Sequence, residues 1–134
     1  MRYYTLLIFL LLMHSAKAQY SLPVVFDTIG NAGVSGLIPA DMDDDGFNDV
    51  VVLYYYDSLA WYHNDSGNGF SRRPAIDKQI NHPIFADTAD IDGNGFTDLL
   101  VCADSTDYAK LYIYYNFNAG ASWSKFVLDD SIDE

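Results

Sequence analysis

Asp41-Met42-Asp43-Asp44-Asp45-Gly46-Phe47-Asn48-Asp49 runs into Val50-Val51-Val52, and Asp90-Ile91-Asp92-Gly93-Asn94-Gly95-Phe96-Thr97-Asp98 runs into Leu99-Leu100-Val101. The second stretch begins 49 positions after the first. Each places oxygen-bearing side chains at positions 1, 3, 5 and 9 and glycine at position 6. Carboxylates gathered this closely repel: two unit charges 4 Å apart cost roughly 1 kcal/mol in water and about 4 at an effective dielectric of 20. A hard divalent cation reverses that balance, and Ca²⁺ suits it, accepting 6–8 oxygens in flexible geometry. Neither loop holds His or Cys, which disfavours zinc, copper and iron.

Two plainer readings compete. Asp45-Gly46 and Asn94-Gly95 are good hairpin signals in their own right, but a bare hairpin leaves acids at both ends of each loop unexplained. An EF-hand needs Glu at position 12 and flanking helices. Position 12 is Val52 or Val101, and β-branched and apolar runs follow. The two loops are therefore read as metal-holding hairpins between strands. The first carries Asp45 where the second carries Asn94, which predicts stronger Ca²⁺ binding in the first.

Working outward, the same order recurs around each loop. A short apolar segment (Leu37 to Ala40, or Phe85 to Ala89) leads in. An apolar strand follows the loop, Val50 to Tyr55 or Leu99 to Ala103. Then come an Asp/Ser turn and an aromatic strand ending in Asn, Leu59 to Asn64 or Leu111 to Asn116. A Gly/Asn turn leads to a last strand, Phe70 to Ile76 or Trp123 to Leu128. Four short strands per unit of about 50 residues is the pattern of a β-propeller blade. The expected organisation is 1–18 signal peptide, 19–35 lead-in strand, 36–84 first repeat, and 85–134 second repeat with the start of a third. The signal reading rests on Arg2, the apolar run Leu6 to Met13, and Ala16-Lys17-Ala18 before the expected cleavage. An apolar run of this length is too short to span a bilayer, which takes about 20 residues.

The chain has 134 residues and a net charge of −12. Among its 19 acidic residues Glu134 is the one Glu, so the acids are nearly all Asp, the residue of turns and metal loops. This acidity argues against nucleic acid or anionic lipid as a partner. Cys102, in an apolar run, reads as an inert buried thiol. His63 and His82 have no spacing that suggests a ligand or a base. No nucleophile elbow, phosphate loop or zinc motif occurs, so no catalytic residue is expected. Tyr54, Tyr55, Tyr56, Tyr62, Tyr112, Tyr114 and Tyr115 read mainly as packing between blades, with a subset available to stack on sugars. Asn64-Asp65-Ser66 is a glycosylation sequon.

Ala40 to Val52 and Ala89 to Val101 resemble the calcium hairpin of FG-GAP/VCBS-type repeats, the blades of integrin-α-like β-propellers. Trp61-Tyr62-His63-Asn64-Asp65 resembles the segment that follows in such blades. The resemblance implies an all-β fold of two four-stranded blades, part of a larger, seven-bladed ring. It carries Ca²⁺ ligation onto Asp41, Asp43, Asp45, the Phe47 carbonyl and Asp49, and onto Asp90, Asp92, Asn94, the Phe96 carbonyl and Asp98. The expected function is a secreted or cell-surface calcium-binding module for adhesion or for binding an extracellular protein or glycan. Missing blades or self-association would cover its blade faces. The alternatives are a non-catalytic part of a propeller enzyme acting on polysaccharide, or a spacer in a large surface protein.

Overall fold

A computed structural model describes Val25, Thr28 and residues 33–56, 58–104 and 109–132. The expected signal peptide and nearly all of the lead-in segment lie outside these residues. Within them the chain forms strands and turns, without a helix. No helix there is long and apolar enough to cross a membrane.

β1 (Val34–Ala40), β2 (Asp49–Tyr54), β3 (Ser58–Asn64) and β4 (Phe70–Arg72) form one antiparallel sheet in sequence order. β5 (Pro83–Ala89), β6 (Asp98–Ala103), β7 (Ala109–Phe117) and β8 (Ser122–Ile132) form a second with the same order. The repeat extends to irregularities: the β1–β2 register shifts between Val34 and Gly36, and the β5–β6 register between Pro83 and Phe85. The largest departures from the expected strand boundaries are at the ends of β4 and β8. β4 stops at Arg72 rather than Ile76, because Pro74 has no N–H to donate to a ladder. The chain nonetheless stays beside β3, with Arg73 N–H donating to Trp61 O and Ile76 N–H to Leu59 O. β8 runs past Leu128 to Ile132.

Alternation along each strand builds the interior. Val51, Leu53, Leu59 and Trp61 point from the first sheet to the second, where they meet Leu99, Val101, Ala103 and Tyr114 in one core. Val52, Tyr54, Ala60 and Tyr62 form a smaller cluster on the first sheet's other face. Of the aromatic set, Tyr54, Tyr62 and Tyr114 are therefore packing residues, whereas Tyr55 and Tyr56 are exposed. Cys102 is half-buried.

The second sheet's outer face is less covered. Leu100 pairs with Ile113 and Ile113 with Phe126, opposite the side that meets the first sheet. Phe126 is 52% exposed.

A polar tie also spans the sheets. Asp77, which follows β4 and bridges to Leu59, accepts from Tyr114 Oη at 2.8 Å and from Lys125 Nζ at 2.8 Å. Burial alone would raise the Asp77 pKa, but bonds from Lys125, Gln79 N–H and Tyr114 prevail and hold it below its ordinary 3.8. A depressed carboxylate pKa stabilises the fold above the unfolded value and loses that contribution as pH falls through the folded one. Melting temperature is thus expected to drop on acidification below about pH 4. Asp77→Asn should lower stability at neutral pH and flatten this part of the profile; an unchanged profile would refute the tie.

Candidate metal centres

Both loops fold alike because position 1 organises the turn. Asp41 accepts from Asp45 N–H at 3.2 Å and Gly46 N–H at 2.9 Å. Asp90 accepts from Gly93 N–H at 2.9 Å, Asn94 N–H at 3.1 Å and Gly95 N–H at 3.0 Å. Position 5 then caps position 7: Asp45 Oδ1 takes Phe47 N–H at 2.8 Å, and Asn94 Oδ1 takes Phe96 N–H at 2.7 Å. Gly46 and Gly95 have φ of 88° and 91°, conformations that glycine tolerates best. Position 4 is left-handed too, with Asp44 at 61° and Gly93 at 75°. The first loop therefore carries strain there that the second relieves with glycine.

Carboxylates do converge, in a pattern more divided than spacing suggests. Oxygens of Asp41, Asp43 and Asp45 lie within 4.8 Å of one another, and Asp43 also groups with Asp49 and His63. In the second loop Asp90, Asp92 and Asp98 group together. Asn94 adds no charge, and its Nδ2 donates to Asp92 Oδ2 at 3.2 Å and to Asn116 O at 2.9 Å. Part of the repulsion a cation would relieve is thus already answered by an amide.

Position 9 does more than offer an oxygen. Asp49 is fully buried and accepts from Met42 N–H (3.2 Å), Trp61 Nε1–H (3.0 Å) and Asn64 N–H (2.7 Å). Asp98, equally buried, accepts from Ile91 N–H at 2.8 Å and Asn116 N–H at 2.7 Å. These two carboxylates lock each loop to the third strand of its own sheet. An Asn at or next to the end of that strand caps the following turn, Asn64 through Gly67 N–H and Asn116 through Gly120 N–H.

His63 was not expected in this site. Its Nδ1 stands 3.0 Å from Asp43 Oδ2 and 3.4 Å from Asp49 Oδ1. The signal was available in the strand register: pairing of Val50 with Tyr62 puts His63 across from Asp49. His82, by contrast, stacks on Tyr55 with centroids 4.7 Å apart.

Three observations fit a hard cation in the first loop. The side-chain donors of the Asp41, Asp43 and Asp45 group are all carboxylates. Asp43 Oδ1 is buried without a hydrogen-bond partner among the described residues, an arrangement that is unfavourable unless something compensates. Burial first, and then the charges of Asp49, Asp45 and Asp41, push the Asp43 pKa above its ordinary 3.8, against an opposing pull from His63.

The loop also belongs to the packing between sheets. Met42, at position 2, is fully buried in the inter-sheet core. Its carbonyl accepts from Asn116 Nδ2 of the second sheet at 2.7 Å. Ile91, the matching residue of the second loop, is 41% exposed.

Residues 41–101 match a family model described as an FG-GAP-like repeat, a span that begins with the first loop and ends just past the second. No curated protein and no solved structure matches the chain.

Proposed function

From residues 41–101 being FG-GAP-like repeat sequence, set in two sheets of propeller-blade form, we propose that this is a secreted, calcium-stabilised repeat module used for ligand binding or adhesion rather than catalysis. The observation that carries the reading is the convergence of carboxylates at the same place in both sheets, with the orphaned Asp43 Oδ1 beside it. Asp41, Asp43, Asp45 and Asp49 would hold one ion, and Asp90, Asp92, Asn94 and Asp98 the other, each with the position-7 carbonyl. When bound, the ion neutralises the loop's charge. The chain's own part is to fix the oxygens through the position-1 and position-9 hydrogen bonds.

The face that carries Leu100, Ile113 and Phe126, where Ile113 is buried but Phe126 is exposed, suits a further sheet of the same kind or a second copy of the chain. The first sheet meets the second through residues at the corresponding strand positions, Val51 and Trp61.

Extracellular calcium modules bind at roughly 10⁻⁴ to 10⁻³ M. A few millimolar Ca²⁺ should then stabilise the fold by about 1–2 kcal/mol per site, raising the melting temperature by several degrees. Calcium titration by calorimetry, together with melting in EDTA, tests this. Asp45→Asn should weaken the first site toward the second, while leaving untouched the Asp49 hydrogen bonds that an Asp49 variant would also break. A melting temperature indifferent to EDTA would discard the calcium reading.

A further inference from the structure

Beside the first loop, where the two sheets diverge, lies a cleft of about 430 Å³. That is within the range typical of small-ligand sites, roughly 300–1,000 Å³. One side is formed by Trp61 and the segment Arg73 to Ile76, the other by the β7–β8 turn from Ala119 to Trp123, and Asp43 also lines it. Both tryptophans of the chain are here. We propose that this cleft binds a single neutral pyranose ring of a glycan; the assignment rests on the ligand-binding reading above and names its site and chemistry.

The lining selects among ligand classes by elimination. Trp61 is a fixed floor: it is buried, its Nε1 is bonded to Asp49, and Gly120 packs so closely that an added Cβ would lie 2.2 Å from Cζ3. The Arg73 guanidinium stands 5.7 Å from the Trp61 ring centroid. A cationic ligand would meet this charge, and the cation–π position is already taken. An anionic ligand would meet the repulsion of a chain whose net charge is −12. A wholly apolar ligand would bury the guanidinium without a hydrogen-bonding partner. A neutral ring with one C–H face and a rim of hydroxyls satisfies every group. Its face lies on the half-buried Trp123 indole, and its hydroxyls accept from Arg73 N–H.

The position of both indoles gives a direct readout, since tryptophan emission reports on the cleft. The purified chain is titrated with methyl glycosides of neutral hexoses and N-acetylhexosamines, with uronic acids and amino sugars as charged comparators. A saturable emission change with at least one neutral glycoside is expected. Arg73→Met, which alters an exposed residue, and Trp123→Ala should each weaken binding about tenfold or more, with the EDTA-sensitive melting shift of the wild type retained in Arg73→Met. No saturable change with any neutral glycoside, a response confined to charged sugars, or binding unaltered in Arg73→Met would overturn the proposal. The calcium-dependent melting shift is read on the same sample. A calcium response without a sugar response rejects the cleft alone, and loss of the calcium response rejects the function proposed above.

Discussion

Asp49→Ala is expected to destabilise the chain by about 3 kcal/mol or more, since each buried donor left without its acceptor costs roughly 1–3 kcal/mol. Three donors lose their partner: the Met42 and Asn64 amides and the Trp61 indole. Against a typical total stability of about 5–15 kcal/mol, this is enough to unfold a marginal domain. Asp98→Ala orphans the Ile91 and Asn116 amides and no indole, so it should cost less. Urea denaturation in EDTA is the decisive measurement. If Asp49 served only to hold an ion, its loss would be silent once calcium is removed. A denaturation midpoint equal to that of the wild type in EDTA would refute its role as a hydrogen-bond hub.

Met42→Ala should cost about 2–5 kcal/mol, the usual range for removing a large buried side chain, because Met42 is fully enclosed between the sheets. Ile91→Ala, at the matching position of the second loop, removes a side chain that is 41% exposed and should cost far less. The contrast is informative because the two loops are otherwise close copies. Thermal melts of both variants, with and without calcium, would show whether loop position 2 acts through packing. Equal losses would mean that the second loop also packs against a partner in solution.

Much of this molecule is legible as sequence. Alternating apolar strands, turn residues at regular intervals and the doubled Asp-rich stretch are local signals, and they give two four-stranded sheets in sequence order. The end of β4 at Arg72 was missed, although Pro74 carries the signal for it. What stays hidden is whatever depends on two distant segments meeting. Spacing shows that Asp49 and Asp98 close their loops. It does not show that both are fully buried and accept hydrogen bonds from backbone amides, which follows from the third strand folding back over them. His63 looked idle in one dimension and lies beside Asp43 only because of hairpin register. Met42 and Ile91 look equivalent, yet one is core and the other surface. The cleft, too, required Trp61 and Trp123 to be brought together from different sheets.

The hydrogen bond from Asn116 to the Met42 carbonyl joins residues 74 positions apart. A ribosome adding about 5–20 residues per second would need several seconds to travel between them. For that interval the first loop exists with its carbonyl unclaimed and Met42 bare, whatever calcium surrounds it. Until Asn116 is made, the first loop can have neither this partner nor the second sheet's cover over Met42. The interval is set by translation speed, so slow codons between Met42 and Asn116 should lengthen it.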